Sequence, residues 1–327
     1  MSEIKEKTRM RKFLTFAACG ALALAAGACG SDDNDNGGGG GGGDLSGSIK
    51  IDGSSTVGPF AQAAAEQFQG ENPNVKVTVG TSGTGGGFEK FCAGETDISD
   101  ASRPIKPDEE VPVCKKEGVT YKEVQVANDG IAVVTNKALK IDCMTIDELK
   151  KLWNKGSKVK SYKDIDSKFP SSSAKLFGPG TDSGTFDFFT EQINGEEGVS
   201  REDYQPSEDD NVLVQGVEGS ESGLGYFGFS YYDQNKSKLN LVGVDGGGGC
   251  VKPSQKAIQD GTYKPLSRPL FMYPSEKALA RPEVKAFMEF VINSQEQIAK
   301  ASQIVPLTAE QAAKGKGELK AAEAAAK

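Results

Sequence analysis

Three short stretches, GSSTVG at 53–58, TSGTGGG at 81–87 and GTDSGT at 180–185, crowd hydroxyl groups and glycine into places where a strand pattern gives way to a helix pattern. A helix start exposes N–H groups with no intrahelical partner and carries partial positive charge. Glycine lets that backbone come close to a ligand, and Ser and Thr hydroxyls add donors that rotate to fit. Several such termini converging on one point hold an anion without any basic side chain. One such loop means little, because Ser or Thr at a helix start commonly does no more than cap it. Three in one chain, each after a strand, point to a shared anion site. The third loop runs into FDFF, where Phe186, Phe188 and Phe189 read as packing that fixes the helix behind it.

Two charged residues between the loops bear on the same chemistry. The segment DISDASRP, 97–104, offers Arg103, whose planar fork of donors suits an oxyanion. It also offers Asp97. A carboxylate beside an anion repels it unless the anion still carries a proton to donate. Monohydrogen phosphate carries one and sulfate at neutral pH does not, so an Asp97 acceptor selects phosphate. The alternative reading makes Asp97 a turn or capping residue, or a partner of Arg103. Asp129, in NDG, reads equally as a cleft residue and as a turn residue before Gly130.

Composition removes other chemistries. The 327 residues include no His, which takes away the commonest general base and metal ligand. Ser-His-Asp and Cys-His catalysis are excluded, and neither a metal nor a cofactor is expected. TSGTGGG lacks the lysine of a nucleotide phosphate loop, and no GxGxxG with a following acidic partner is present. With a formal net charge of −8 and no basic patch, nucleic acid is not an expected partner. A bound anion must be held by local geometry against an unfavourable overall field.

The first residues read as targeting rather than fold. Lys5, Lys7, Arg9, Arg11 and Lys12 precede a short apolar run, 13–28, that ends in AAGAC. This pattern resembles a bacterial lipoprotein signal, with 1–28 removed and Cys29 lipidated. Ala26, where Leu is more usual, makes the match loose, and an ordinary secretory signal is the alternative. Residues 29–46, rich in Gly, Asp and Asn, read as a flexible tether. Cleavage after residue 28 leaves 33 positive and 44 negative side chains. Beyond Cys29 four Cys remain, and an exported protein with four suggests two disulfides in one of three pairings. Cys92–Cys114, closing a local loop, and Cys143–Cys250, within one domain, are the expected pair. No CxxC spacing supports a metal site instead.

Strand and helix signals alternate along the chain. SIKIDGS and NVKVTVG read as strands, FAQAAAEQF as a helix, and TIDELKKLWN as a helix opened by a capping box of Thr145 and Glu148. EVQVANDGIAVVTN reads as a buried strand, with helices at 282–301 and 308–325. The alternation argues for parallel sheets covered by helices, with ligands at the carboxyl ends of strands. Length alone suggests two domains. Trp153 and the Phe/Tyr cluster at 226–232 read as core.

Taken in order, DGSSTVGPFAQAAAEQF, TSGTGGGFEKFCAGETDISDASRPI, VANDGIAVVTN, GPGTDSGTFDFF, GLGYFGFSYY and PLSRPLFMYP resemble the phosphate-binding protein of Pst-type ABC importers. The resemblance covers nearly the whole chain beyond the tether. It implies an α/β, two-lobed periplasmic-binding-protein fold of type II. Each lobe would be a mostly parallel sheet flanked by helices, and the lobes would close over phosphate in the cleft between them. The two crossings such a fold needs place one lobe at 47–133 plus 268–327 and the other at 134–267. By motif, Ser55, Thr56 and the Val57 N–H would bind phosphate, with Ser82 or Thr84 from the second loop. Asp97 would accept the phosphate proton, and Ser183, Gly184 and Thr185 would match the family's SGT donors. Many members carry an Arg four residues before that Ser; here the position is Pro179, and Arg103 is the natural substitute.

The implied function is that of a non-enzymatic, lipid-anchored, extracytoplasmic monomer. It would deliver phosphate to membrane permease subunits driven by a cytoplasmic ATPase. A phosphate-ester hydrolase on the same scaffold and a receptor for sulfate, molybdate or tungstate are the competing readings.

Overall fold

The computed structural model describes residues 45–325. The signal segment 1–28, Cys29 and the tether up to residue 44 lie outside the described residues. Period-two alternation gives β1 (Gly47–Gly53) and β2 (Val75–Gly80), whose alternate residues Ile49, Ile51, Val75 and Val77 are buried. The remaining strands are β3 (Ile98–Ala101), β4 (Val124–Asn136), β5 (Cys143–Thr145), β6 (Lys175–Pro179), β7 (Gln205–Ser207), β8 (Gly223–Gly228), β9 (Leu239–Asp245), β10 (Cys250–Val251) and β11 (Ser267–Pro274).

Hydrogen bonding orders them β2-β1-β3-β11-β4-β8-β6-β7, with β9 pairing β4, β5 and β10. The long strand β4 joins two sheets. Its residues up to Gly130 pair with β11, and from Ile131 onward they pair with β8, then β9 as well. Twelve of its thirteen residues are buried; a strand walled on both faces reads as a near-continuous apolar run, as this one does. The sheets are more mixed than strand–helix alternation predicts. Among the described residues five strand pairings are parallel and five antiparallel. The antiparallel ones all involve β4, β11 or β9.

Two large apolar cores flank the crossing. One surrounds α1 (Gly58–Glu71) and helix Pro282–Asn293, with Phe60, Phe68 and Phe287 buried. The other surrounds Trp153, fully buried as expected, whose ring meets Phe189, Tyr204 and Tyr226 edge-on. A smaller core joins α2 (Gly83–Cys92) to α3 (Glu110–Lys116) through Phe88, Phe91 and the Cys92–Cys114 disulfide. Cys143–Cys250 forms the second bridge, fastening β5 near β10. The capping box that opens α4 (Ile146–Trp153) is present: the Glu148 N–H donates to Thr145 Oγ1, and the Thr145 N–H to Glu148 Oε2. The helix expected over 282–301 is two helices, Pro282–Asn293 and Gln295–Ala301, joined at Ser294.

Candidate functional site

All three hydroxyl-rich loops follow strands and open helices: β1 into α1, β2 into α2, and β6 into α5 (Gly184–Phe189). They meet at a cleft of about 670 Å³ lined by Ser54, Ser55, Thr56, Ser82, Thr84, Ser102, Arg103, Gly184, Asp187, Phe188 and Arg268, among others. The cleft lies at the carboxyl ends of β1, β2 and β3, where the chain direction predicts a ligand.

In the first loop Ser54 organises the turn. Its N–H donates to the Asp100 carbonyl at 3.0 Å, and its Oγ accepts from the N–H groups of Thr56 and Val57. Ser55 and Thr56 reach the cleft; Val57 is fully buried and its N–H is spent on this turn. In the second loop Ser82 and Thr84 both line the cleft but differ in role. The Ser82 N–H and hydroxyl both donate to Asp52 Oδ1, while Lys90 bonds Asp52 Oδ2 at 2.7 Å. Burial pushes the Asp52 carboxyl up, but the bonds from Lys90 and Ser82 outweigh it and hold the group below the usual range. Thr84 Oγ1 lies 3.1 Å from Ser102 Oγ and accepts the Ser102 N–H.

In the third loop Ser183 is the N-cap of α5, its side chain accepting the Thr185 N–H at 3.2 Å. Ser183 and Thr185 line an adjoining pocket with Ser55, Thr56 and Asp129; Gly184 faces both spaces. Gly184 is required by close approach. A Cβ there would fall 2.2 Å from Thr56 Oγ1 and 2.7 Å from Ser55 Oγ, far inside contact distance. Behind the loop Phe189 stacks on Tyr226 with centroids 3.6 Å apart, anchoring α5 in its core.

The charged residues are arranged differently from the sequence reading. Asp97 is not at the cleft. It precedes β3, accepts the Lys50 N–H at 2.8 Å and pairs with Arg281 at 2.6 Å. The four residues of β3 separate it from Ser102 at the other end of that strand, roughly 15 Å along the extended chain. Its carboxylate is a structural partner there and cannot meet an anion held by the loops. Arg103 does line the cleft, but Glu110 takes its guanidinium in a two-pronged pair at 2.9 and 2.7 Å. That bond to Glu110 raises the Arg103 pKa, with the Glu110 charge adding to it.

The cation placed among the loops is Arg268, on β11. Its Nη2 donates to Thr56 Oγ1 at 2.8 Å and to the Gly184 carbonyl at 3.3 Å; its Nε donates to Asp129 Oδ2 at 3.2 Å. Its guanidinium carbon lies 3.7 Å from the centroid of the Phe188 ring. Burial lowers the Arg268 pKa from its ordinary value, against the pull of Asp129, Glu191 and Asp187; of these carboxylates Asp129 is the one in direct contact. Asp187, also on the cleft wall, is raised to about 6 by burial and by Glu197, with Arg268 opposing. Sequence reasoning passed over Arg268 and Ser102, although both sit in quoted segments, each within a Ser-Arg-Pro triplet.

Residues 38–296 match the PBP superfamily domain. The chain is 46% identical over 264 residues to protein SphX of Synechococcus elongatus, covering 80% of this chain and 78% of that protein. It is 43% identical over 264 residues to the phosphate-binding protein PstS of Staphylococcus saprophyticus, covering 80% and 81%. The chain belongs to the PstS-type phosphate-binding proteins. Among solved structures, a possible phosphate-binding protein from Planctomyces limnophilus is 44% identical with a TM-score of 0.80, covering 85% of this chain and 99% of that one. An ABC-type phosphate transport receptor from Vibrio cholerae, 20% identical with a TM-score of 0.62, shares the two-lobed fold.

Proposed function

We propose that this protein is an extracytoplasmic receptor that captures inorganic phosphate between its two lobes and hands it to the permease of an ABC importer. The observation that carries the reading is Arg268: a guanidinium with a side chain 11% exposed, held by one carboxylate contact and surrounded by hydroxyl-bearing loops from both sheets. Such a cation is poised for an oxyanion that completes its compensation. Ser55, Thr56, Thr84 and Ser102 supply hydroxyls from one side; Ser183, Gly184 and Thr185 supply donors from the other. Ser82 and Val57 shape their turns, and Arg103, committed to Glu110, lies on the rim. The names of its relatives support phosphate as the ion.

The change of partner along β4 between Gly130 and Ile131 supports lobes of 47–133 plus 268–327 and of 134–267. We read the chain as a monomeric binding protein without catalytic function, tethered through lipidated Cys29. Isothermal titration with phosphate and with sulfate tests the reading. Saturable one-to-one binding of phosphate and much weaker binding of sulfate is expected. Preference for sulfate would make this a receptor for another oxyanion, and no binding of phosphate would end the reading.

A further inference from the structure

Arg268 contacts both sides of the cleft, and the two sets of contacts differ in kind. Its backbone lies in β11, and Asp129 and Thr56 hold it from the sheet and loop of the same side. From the opposite side it meets a single helix, α5, through the Gly184 carbonyl and the Phe188 ring. Gly184 and Phe188 are four residues apart, so they lie on one face of the helix, one above the other. Phe188 is 5% exposed and sits in the core around Trp153, so its ring is fixed before it meets Arg268. When the lobes part, Asp129 and Thr56 travel with Arg268, and the contacts with α5 are lost.

We infer that Phe188 is a positioning residue: an aromatic platform that holds the Arg268 guanidinium in the closed cleft and so sets how long the bound anion stays. This rests on the phosphate reading above. A guanidinium over an aromatic face is attracted by the ring's quadrupole, more so when water is excluded. That attraction exists only in the closed arrangement, so it shifts the open–closed equilibrium toward closure. It also keeps one face of Arg268 dry, which strengthens the field the cation exerts on the anion.

The test measures phosphate association and dissociation rates on the purified protein and on Phe188→Leu, Phe188→Tyr and chains carrying fluorinated phenylalanines at 188. Leucine keeps the apolar bulk and removes the π face; fluorination withdraws the charge of the face with little change of shape. Phe188→Leu should weaken phosphate binding about tenfold or more, with the loss in the dissociation rate. Phe188→Tyr should bind within about twofold of the parent. Successive fluorines should speed dissociation step by step at unchanged melting temperature, a readout that packing alone would not move and one that stands if the leucine variant fails to fold. Dissociation rates indifferent to fluorination, or a folded leucine variant that releases phosphate like the parent, would overturn the platform while leaving the phosphate reading intact. A parent protein that binds no phosphate would bring down both.

Discussion

Arg268 and Asp129 are directly opposed residues on the antiparallel strands β11 and β4, and their side chains join across that pairing, Nε to Oδ2, at 3.2 Å. The pair lies one register step from Gly130, the last β4 residue to pair with β11 before the strand turns to β8. Asp129 thus fixes the guanidinium at the crossing between sheets. Arg268 is not spent on Asp129 alone, since it also reaches Thr56 and Gly184. Opposed charges across a sheet stabilise it modestly; buried here, the pair matters more for where it places positive charge than for what it adds to stability.

Replacing Gly184 with Ala should damage binding more than folding. The added methyl would collide with Thr56 Oγ1 and Ser55 Oγ, pushing two anion loops apart. Overpacking of this kind costs about 1–3 kcal/mol, and it falls here on the closed cleft. Calorimetry should show phosphate affinity down about tenfold or more, with each lobe still folded by circular dichroism. Unchanged affinity would mean that the loops do not need this contact.

Asp100 should make the fold less stable as pH rises. It is fully buried and neither carboxyl oxygen has a hydrogen-bonding partner. Burial, with the Asp52 charge nearby, raises its pKa well above the carboxylate range. The folded state keeps a proton that the unfolded chain releases near pH 4, so stability is full below that point and falls above it, by about 1.4 kcal/mol per pH unit, until the folded group itself ionises. Asp100→Asn removes the titration. Urea melts between pH 5 and 7 should show the variant gaining on the parent as pH rises, whereas parallel curves would show Asp100 ionised in the fold.

Asp187 should act on any fully charged anion in the cleft. Its carboxyl titrates at about 6, so it is largely ionised at pH 7.5 and largely protonated at pH 5. The ionised form repels an anion. Weak sulfate binding should therefore fall as pH rises through 6, and Asp187→Asn should flatten that profile and bind sulfate more tightly at pH 7.5. A variant with the parent's sulfate profile would place Asp187 beyond reach of the ion.

The loops were legible in the sequence because their signals are local: strand pattern, then Gly/Ser/Thr, then helix pattern within a few residues. The Thr145 capping box was legible for the same reason, whereas the disulfides were legible from the cysteine count and the expected domain split, since Cys143 and Cys250 stand 107 residues apart. Arg268 was not, because its partners Asp129 and Thr56 stand 139 and 212 positions away and only the fold brings them together. Pro179 in place of an Arg signalled that a cation must come from elsewhere, but the nearer Arg103 offered itself, and its neutralisation by Glu110 is a tertiary fact. Asp97 failed for a directional reason. It stands at the entry to a four-residue strand whose exit faces the cleft, and parallel-sheet logic would have favoured the exit. The mixed sheet escaped notice because β4 and β11 read as buried strands whichever way their neighbours run.

The central claim is that Arg268 supplies the charge that binds phosphate. The measurement that tests it most directly is phosphate titration of the parent, Arg268→Ala and Arg103→Ala side by side in one buffer. Truncating a buried, hydrogen-bonded charge costs about 2–5 kcal/mol, so Arg268→Ala should lose roughly a hundredfold in affinity, while Arg103→Ala stays within about fivefold of the parent because Glu110 already holds that guanidinium. A large loss in Arg103→Ala with Arg268→Ala near the parent would contradict the account.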